Sequence, residues 1–378
     1  MIYLDYSATT PVNPEVLDSF NKACNNYIGN ANSSHKLGIN IHNLIKKSTE
    51  QIMNVLNISN NKEIVYTSGS SEANNLAIKG VALRYKNRGK HIITSRYEHS
   101  SVNKVMEYLE SIGYEISYVN TNEDGIIDIN NLKEIIRDDT ILVSINAVNS
   151  EIGLKEPINE IGLLLKEYPK CIYHVDLTQA IGKINVDFTN IDLASFSAHK
   201  IYGLKGIGCL VKNKNIDFIP LIHGGKSTTI YRSGTPAHPL IVSMSKAVRL
   251  SCIDLDKKYD YVSSLNSKIK NELSKLDNVF INSNKYSIPH ILNISVLKVK
   301  AETFMRALED YDIYVSTKTA CSDDNSYSEN VYDLTKDMER AKSSIRISLS
   351  HLTTEEEVDT FIQTFKKCYD KLLKNNEI

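Results

Sequence analysis

Residues 193–211, LASFSAHKIYGLKGIGCLV, contain a pattern of apolar segments around a lysine that is typical of a buried sheet. Two short apolar segments, LASFSA (193–198) and GIGCLV (206–211), flank Lys200 and a glycine-rich bend. Short apolar runs that end at turn residues are typical of strands buried inside a sheet. We therefore expect Lys200 to lie at the end of a buried strand, and not on a solvated helix face.

This position of Lys200 favours a chemical role. A partly desolvated lysine amine has a lowered pKa and is able to form a Schiff base. The alternative is an ordinary surface lysine beside a turn, where most lysines lie. The glycines that follow do not form a G-x-G-x-x-G pattern after a strand, so the stretch does not indicate a dinucleotide site.

Similar strands alternate with helical segments through the first two thirds of the chain. We expect further buried strands at EIVYTS (63–68), HIITS (91–95), YEISYV (114–119), ILVSINAV (141–148) and CIYHVD (171–176). Helical spacing predicts helices over residues 34–56, 71–88, 100–112 and 158–168, and Asn13 followed by Pro14 indicates another helix start. This alternation predicts an α/β fold with a mostly parallel sheet.

The pattern changes beyond about residue 250. Long polar helical stretches there accompany strands at HILNIS (290–295) and SSIRISL (343–349). Thr354 and Glu357 have the spacing of a capping box for a closing helix. The C-terminal third is therefore predicted to form a second, smaller α+β domain.

Composition and charge exclude several classes of protein. The 378 residues carry 44 basic and 45 acidic side chains, a balance unlike that of nucleic-acid-binding proteins. No apolar run approaches the roughly 18 residues of a membrane span, and the start MIYLDYSATT lacks a signal-peptide pattern, so we expect a cytoplasmic protein. The six cysteines lack C-x-x-C spacing, so no metal site is expected and most should be buried and reduced.

Two other motifs lie at the ends of predicted strands. In YTSGSSEANN (66–75), Ser70 or Ser71 opens a helix, and hydroxyl groups at a helix N-terminus suit a phosphate. A simple serine cap explains the same pattern. In YHVDLTQA (173–180), Asp176 ends a strand, where open sheets bind ligands, although it would equally cap the next helix.

Together these segments resemble the cysteine desulfurases, pyridoxal-phosphate enzymes related to the class V aminotransferases. The likeness covers nearly the whole chain and follows the family's order through YLDYSATTPV, TSGSSEANNLAIKG, YEHSSV, VNSEIG, HVDLTQAIGK, SFSAHKIYGLKGIG, RSGTPAHP, TACS and SSIRISLSHLTTEEEVD. The resemblance implies a homodimer with the fold of aspartate aminotransferase. Residues 16–250 would form the large cofactor domain, and residues 1–15 and 251–378 the small domain with the catalytic cysteine loop.

The resemblance also implies the cofactor contacts. Lys200 matches the lysine that binds pyridoxal 5'-phosphate, Asp176 the carboxylate at the pyridine nitrogen, and His99 the imidazole stacked on the ring. A negative partner keeps the ring nitrogen protonated, so the ring is able to take up electrons from the substrate. The other implied cofactor contacts are Gln179, Ser70, Ser71, Ser197, His199, Ser150 and, from the other subunit, Thr235.

The substrate contacts and the reaction are implied in the same way. Arg346 matches the guanidinium that binds the substrate carboxylate, and Asn149 matches a second substrate contact. Lys200 would shuttle the α proton. Cys321 matches the cysteine that takes sulfur from L-cysteine as a persulfide and leaves L-alanine. The sulfur would then pass to an acceptor protein for iron–sulfur cluster assembly or for thiolation of tRNA or a cofactor, without direct binding of nucleic acid or membrane.

The sequence departs from the family pattern at four places. Lys318 and Thr319 replace Gly-Ser before Ala-Cys, and the cation of Lys318 is expected to lower the pKa of the nearby thiol. Ser150 replaces an asparagine, KSTTIY (226–231) replaces a Gly-Gln-Glu stretch, and Leu204 replaces proline. Three alternatives stay open: a selenocysteine lyase, a related aminotransferase that needs no cysteine, and a weakly catalytic sulfur-relay partner.

Overall fold

The computed structural model describes residues 1–317 and 327–374. Of Lys374, the final residue of the second range, only the backbone is described. The predicted Cys321 and its neighbours Lys318 and Thr319 lie outside the described residues. Within the described ranges the chain forms a large sheet, a three-stranded sheet and a two-stranded sheet, with helices packed around them.

The large sheet confirms the predicted α/β organisation. The strands, in chain order, are β1 (Ile2–Tyr3), β2 (Lys62–Thr67), β3 (His91–Thr94), β4 (Glu115–Tyr118), β5 (Thr140–Asn146), β6 (Ile172–Asp176), β7 (Leu193–Ser197), β8 (Gly208–Asn213), β9 (Val279–Ile281), β10 (Ile291–Val296), β11 (Ile313–Tyr314) and β12 (Ser344–Ser348). The described part of the large sheet has the order β2-β8-β7-β6-β5-β3-β4. All pairs from β7 to β4 are parallel, and only β8 runs antiparallel to its neighbours in this sheet.

The limits predicted at residues 34–56, 71–88, 100–112 and 158–168 agree with four observed helices within three residues, and no limits were predicted for most of the others. All α-helices of the described ranges follow here in chain order. They are α1 (Pro14–Asn26), α2 (Lys36–Val55), α3 (Ser70–Tyr85), α4 (Ser100–Ser111), α5 (Ile129–Ile135), α6 (Ile158–Leu165), α7 (His238–Cys252), α8 (Leu255–Leu273), α9 (Ala301–Glu309), α10 (Glu329–Thr335), α11 (Met338–Lys342) and α12 (Glu355–Lys374). Asn13 caps α1, because its Oδ1 accepts the N–H of Glu15 at 2.8 Å. The predicted capping box is also confirmed, with Thr354 and Glu357 bonded reciprocally at 2.9 and 3.1 Å.

One prediction about burial is wrong. Residues 114–119 were expected to form a buried strand, but Glu115 and Tyr118 at the two ends of β4 are exposed. The reason is its position and its packing, because β4 is the outermost strand of the sheet beyond β3 and contributes only the partly buried Ile116 to a core cluster. The other edge strand, β2, is covered on both faces, with Ile64 and Val65 in core clusters.

The C-terminal strands have a hydrophobic core of their own. The antiparallel sheet β12-β10-β9 packs with α8, α9 and α12, and this cluster includes Leu4 from the start of the chain together with Ile294 and Phe361. A separate cluster surrounds the large sheet. The boundary between residues 250 and 251 stays a prediction. Among the described helices, none has both the length and the apolar character needed to cross a bilayer.

The N-terminal segment, residues 4–13, connects the large sheet with the three-stranded sheet. Its Thr10 N–H donates to the carbonyl oxygen of His199 at 2.9 Å, just beyond β7. Its Ser7 N–H donates to Oγ of Ser348 on β12 at 2.9 Å. The segment therefore lies across the carboxyl end of the parallel strands, the edge at which open α/β sheets bind ligands.

Candidate active site

A cavity of about 170 Å³ lies where the carboxyl ends of β5 and β6 and the turn after β7 meet the N-termini of α3 and α4. The predicted site residues that line it are Ser70, Ser71, His99, Ser150, Asp176, Gln179, His199, Lys200 and Arg346. The rest of the lining consists of Ser7, Ala8, Tyr97, Asn146, Val148 and Thr178. The fold thus brings together side chains from the start, middle and end of the chain.

Three predicted residues within the described ranges do not line the cavity. Ser197 adjoins it, because its Oγ accepts the N–H of Ser70 at 2.6 Å. Asn149 is buried, and its amide bonds the carbonyl of Tyr97 at 3.0 Å and the N–H of Ile152 at 2.7 Å. Thr235 lies outside the lining. A substrate contact by Asn149 and a cofactor contact by Thr235 stay predictions.

Lys200 lies at the end of a short 3-10 turn that follows β7. Its Nζ donates to the carbonyl oxygens of Ser7 and Ala8, the second at 2.7 Å. Tyr202, two residues further on, has a φ of 62°, a left-handed conformation that bulky residues rarely adopt. The chain therefore bends sharply here, and the N-terminal segment directly contacts the lysine amine.

Asp176 lies at the end of β6, as predicted, but it caps no helix, because the chain between β6 and β7 forms turns. Its Oδ1 accepts the N–H of Thr178 at 2.9 Å, so the carboxylate bonds the next turn. Its Oδ2 accepts Nδ2 of Asn74 at 2.8 Å, and the side chain also lines the cavity. A buried carboxylate with two donors suits a cationic ring nitrogen as a further partner.

Two imidazoles in the lining are held in their neutral form. Burial lowers the pKa of His99; Lys200 lowers it further, while Asp176 opposes the shift. Burial, followed by Lys200, lowers the pKa of His199 to about 4. His99 also caps α4, since its Nδ1 accepts the N–H of Ser101 at 3.1 Å. Neutral rings in these positions are able to pack against an aromatic ligand without adding charge.

The N-terminus of α3 has the chemistry of an anion site. The N-cap is Gly69, which makes no side-chain capping bond, so the simple serine cap is not what the structure shows. The hydroxyl groups of Ser70 and Ser71 line the cavity at this terminus. The N–H of Ser70 already donates to Oγ of Ser197, but the hydroxyl-bearing residues and the positive end of the helix dipole still favour a phosphate group.

Gln179 links the cavity to a buried lysine that sequence analysis did not identify. Its Nε2 donates to the carbonyl of Ser7 at 3.0 Å, and its Oε1 accepts Nζ of Lys183 at 2.6 Å. Burial lowers the pKa of Lys183 to about 7, with added repulsion from Lys200 and Arg346. Because a backbone carbonyl oxygen only accepts, the amide nitrogen of Gln179 must face Ser7, and its oxygen then faces Lys183.

Arg346 on β12 is almost completely buried and has two protein partners. Its Nη2 contacts Oδ1 of Asp5 at 2.8 Å, and its Nη1 donates to the carbonyl of Ser150 at 3.0 Å. Its Nε has no hydrogen-bond partner among the described residues. Arg346 also lines the cavity, and a carboxylate is the natural partner of a guanidinium group.

Sequence analysis missed the parts of the site that come from the N-terminal segment. Ser7 and Ala8 contribute only backbone carbonyls to Lys200, and backbone groups leave no signal in residue type. Asp5, which pairs with Arg346, stands in a short segment without helical or strand periodicity. For Lys183 a signal existed, because it follows Gln179 by four residues, the spacing of neighbours on one helical face.

The groups around the cavity fit pyridoxal 5'-phosphate. They supply an amine, a buried carboxylate for a ring nitrogen, a neutral imidazole and a helix terminus without a side-chain cap for a phosphate. No group of acidic, histidine and cysteine side chains suited to a metal ion occurs within residues 1–317 and 327–374. The chemistry of the donor set is therefore that of an organic phosphate cofactor.

Comparisons with known proteins agree with this chemistry. The family model for class-V aminotransferases matches residues 2–361. A cysteine desulfurase IscS from Dictyoglomus turgidum is 36% identical over 98% of this chain and 95% of the relative. The solved structure of a NifS-like protein is 34% identical, with a TM-score of 0.91, over 98% of this chain and 99% of that chain. The solved structure of SspA in complex with cysteine is 31% identical, with a TM-score of 0.82, over 94% of this chain and 100% of that chain. The chain belongs to the class-V aminotransferase family and, within it, to the cysteine desulfurases, which depend on pyridoxal 5'-phosphate.

Proposed function

We propose that this chain converts L-cysteine to L-alanine and transfers the sulfur to Cys321 as a persulfide. The observation that carries the proposal is the single cavity lined by Lys200, Asp176, His99 and Arg346. Family membership supports the same reaction, and the structure of a relative titled as a complex with cysteine supports the substrate.

Most of the predicted site residues would bind the cofactor. When bound, pyridoxal 5'-phosphate supplies an electron-accepting ring that eases removal of the substrate's α proton. Lys200 would hold it covalently, Asp176 would pair with its ring nitrogen, and His99 would cover the ring. The remaining contacts would come from Gln179 and Ser150 near the phenolic oxygen and from Ser70, Ser71, Ser197 and His199 at the phosphate.

Arg346 and Lys200 would act directly on the substrate. The guanidinium of Arg346 would bind the substrate carboxylate, while Asp5 and the carbonyl of Ser150 keep it in place. The amine of Lys200 would take the α proton and return it. The carbonyls of Ser7 and Ala8 hold this amine at the cavity wall, which limits where the proton is delivered.

Sulfur transfer from the substrate to Cys321 needs no external oxidant or reductant. The Cys321 thiolate attacks the substrate sulfur, so that an S–S bond forms and the bond between that sulfur and Cβ breaks. The electron pair of the broken bond stays with Cβ, which takes up a proton and becomes the methyl group of alanine. The sulfur remains on the enzyme as a persulfide, ready for attack by another thiol.

The described chain allows Cys321 to take this role. The N–H of Ser316 donates to the carbonyl of Arg346 at 3.1 Å, so the chain enters the undescribed residues beside the cavity. Cys321 follows five residues later. Five residues span at most about 18 Å, which is enough to extend along the cavity wall.

Replacement of Cys321 by alanine tests the proposal. We expect alanine formation from L-cysteine to fall by a factor on the order of 10³, the scale of loss when a covalent nucleophile is removed. Mass spectrometry of the wild type should show one added sulfur atom on Cys321. The matched control is Cys24→Ala, which removes an exposed free cysteine and should leave turnover unchanged.

Turnover of the wild type and of Cys321→Ala, together with a comparison of cysteine and selenocysteine as substrates, separates the alternatives. An aminotransferase that needs no cysteine would keep full turnover in Cys321→Ala, and a sulfur-relay partner would bind cofactor but form negligible alanine in the wild type. A selenocysteine lyase would show a much higher kcat/KM with selenocysteine than with cysteine. Any of these results would reject the proposed reaction.

We also propose that the protein is a homodimer in which Thr235 serves the cofactor of the partner subunit. Thr235 does not line its own cavity, and Ile28 and Ile230 are 78% and 67% exposed, which is unusual for isoleucine unless a partner covers it. Mixing Lys200→Ala subunits with Thr235→Ala subunits tests this. In the mixed dimer one site regains both residues only if Thr235 acts across the interface, so cofactor affinity at that site should return to the wild-type value.

The persulfide would be delivered to an acceptor protein, either a scaffold for iron–sulfur clusters or a thiolation enzyme for tRNA. The name IscS of a relative similar over the full length favours the scaffold as the first candidate. Radiolabelled sulfur from cysteine should move from Cys321 to the acceptor in a transfer assay. If label reaches the thiolation enzyme and not the scaffold, the preference for the scaffold is wrong.

A further inference from the structure

Asn74 lies in the second turn of α3 and does not line the cavity. It is completely buried although its side chain is polar at both ends. Its Nδ2 donates to Oδ2 of Asp176 at 2.8 Å and to Oγ of Ser101 at 2.9 Å. Its Oδ1 accepts from Oγ of Ser195. Both hydrogens of this amide therefore point to groups that are themselves in contact with the active site.

The partners of Asn74 allow one orientation of its amide. An ionised Asp176 accepts hydrogen bonds and donates none, so the Nδ2 group must face it. In the flipped orientation Oδ1 would face the carboxylate, and both groups would lose a buried hydrogen bond. The direction of every other hydrogen bond around Asn74 follows from this constraint.

The first consequence concerns His99. Because Oγ of Ser101 accepts from Asn74, its single hydrogen is directed to another acceptor, and Nδ1 of His99 lies 2.8 Å away. The backbone N–H of Ser101 donates to the same Nδ1 at 3.1 Å. A ring nitrogen that faces two donors carries no proton, so neutral His99 holds its proton on Nε2.

The second consequence is that the orientation of Asn74 is also fixed from the side away from the cavity. Since Ser195 donates to Oδ1 of Asn74, its oxygen accepts from Nε2 of His174 at 3.1 Å. Nδ1 of His174 then accepts from Oγ of Ser144 at 2.8 Å. Burial lowers the pKa of His174 to about 4, so this ring is neutral and has one proton to donate. All these groups are buried and cannot exchange partners with water.

We propose that Asn74 is a positioning residue that orients the Asp176 carboxylate and, by directing the Ser101 hydroxyl, acts together with the backbone N–H of Ser101 to hold His99 in its Nε2–H tautomer. The inference rests on the proposed function for the roles of these two side chains and deepens it by naming what sets their state. His99 thereby keeps an N–H on Nε2, so it donates at that atom and does not accept. The charged groups that act on His99 are Asp176 and Lys200.

Nitrogen NMR of the holoenzyme labelled with ¹⁵N-histidine reports the tautomer directly. A His99→Gln variant identifies the signals of that ring. The variants to compare are Asn74→Leu, which removes the amide at similar volume, and Ser101→Ala, which removes only the hydroxyl. The matched control is Asn266→Leu, because Asn266 is also buried and its amide donates to the carbonyl of Pro289 at 2.8 Å, outside the site.

The wild type should show a protonated Nε2 and an unprotonated Nδ1 on His99. In Asn74→Leu the hydroxyl of Ser101 is free to rotate, while the backbone N–H of Ser101 still donates to Nδ1 of His99. We therefore expect the Nδ1 signal to shift and the share of the Nε2–H tautomer to fall, without full conversion to the other tautomer. The kcat should fall about 10- to 100-fold while KM changes less than about threefold, since proton delivery and not substrate binding is affected. Ser101→Ala should shift the Nδ1 signal and lower kcat in the same direction.

An unchanged Nε2–H tautomer and unchanged pH profile in both variants would overturn the inference. So would equal changes in Asn266→Leu, because they would reflect general destabilisation. If Asn74→Leu does not fold, Ser101→Ala alone decides in the same way. A wild type that shows the expected tautomer but forms no alanine rejects the proposed function and still supports the role of Asn74.

Discussion

Arg346 shows how one buried residue joins binding to structure. Two of its nitrogens bind protein groups, the third is buried without a partner among the described residues, and the side chain lines the cavity. The planar guanidinium makes this division possible because its N–H groups diverge in fixed directions. A lysine at the same place has a single cationic nitrogen, which cannot reach Asp5, Ser150 and a substrate carboxylate together.

Arg346→Lys should therefore weaken substrate binding. We expect kcat/KM for L-cysteine to fall about 100-fold, mostly through KM, which corresponds to the loss of one charge-assisted contact. The control is Arg340→Lys, a half-buried arginine whose Nε donates to Asn282 at 2.9 Å away from the cavity. An unchanged KM in Arg346→Lys would contradict the assigned contact.

Lys183 makes the stability of the protein depend on pH. Its pKa is about 7 in the folded protein, against its ordinary value of 10.5. Between these two values the unfolded chain carries the proton and the folded chain does not. The unfolded state therefore binds more protons, and the contribution of Lys183 to stability rises with pH across this window.

Lys183→Met should remove that dependence. The free energy of unfolding of the wild type, relative to the variant, should increase by about 1 kcal/mol per pH unit above pH 7. Denaturant unfolding at several pH values between 6 and 10 measures the difference. The exposed Lys22 supplies the control, and Lys22→Met should give a flat difference. A flat result for Lys183→Met would show that its amine is not held neutral.

At the scale of elements, local sequence predicted most strands and helices closely. Strand limits agree within two residues, because each strand is an apolar run bounded by turn residues. The caps of α1 and α12 also follow directly from residue type and spacing. The prediction that β4 is buried was wrong. Whether a strand lies at the edge or in the interior of a sheet depends on strand order, which the local sequence pattern does not encode.

The packing of α3 against β8 gives a prediction at this scale. A Cβ added to Gly208 would lie 2.7 Å from the backbone of Gly69 and from the carbonyl oxygen of Phe196. Gly208→Ala should push the N-terminus of α3 out of position and lower cofactor affinity at least about tenfold. The strain should also cost about 1 to 3 kcal/mol of stability.

Cofactor titration by absorbance and thermal unfolding measure the effects of Gly208→Ala. The control is Gly225→Ala, because an added Cβ at Gly225 meets nothing within 4 Å. Equal cofactor affinity in both variants would show that α3 does not depend on this close approach.

At the scale of the whole molecule, the N-terminal segment holds the site together. It contacts Lys200 from the large sheet and Arg346 from the three-stranded sheet. Leu4 lies in the C-terminal core cluster while Thr10 bonds the turn after β7. A substitution that removes a contact of the N-terminal segment should therefore lower both the free energy of unfolding and the activity.

Asp5→Ala tests this connection. It leaves the buried Arg346 without a carboxylate partner, so we expect a loss of about 2 to 4 kcal/mol in stability. The double variant Asp5→Ala, Arg346→Met removes the unpaired charge and should regain part of that stability without activity. The control is Asp18→Ala, which breaks an exposed pair with Lys22 and should cost less than about 0.5 kcal/mol. Equal losses in the two aspartate variants would contradict the prediction.

The sequence by itself determined the α/β class, most element limits and the residue types of the site. These follow from short-range physics, since apolar periodicity, caps and turns act over a few residues. It also placed Lys200 and Asp176 at strand ends, because the carboxyl ends of parallel strands converge on one edge. Their chemical roles followed only from the resemblance to the cysteine desulfurases, because the residues alone left an alternative open at each position.

Only the tertiary structure decided how these residues are held. The carbonyls of Ser7 and Ala8 at Lys200, the contacts of Arg346 with Asp5 and Ser150, and the amide network of Asn74 join residues far apart in the chain. Such contacts arise from packing, in which each buried polar group must find a partner wherever the fold brings one. Residue type alone cannot specify that partner, so the state of each active-site group became visible only in the folded chain.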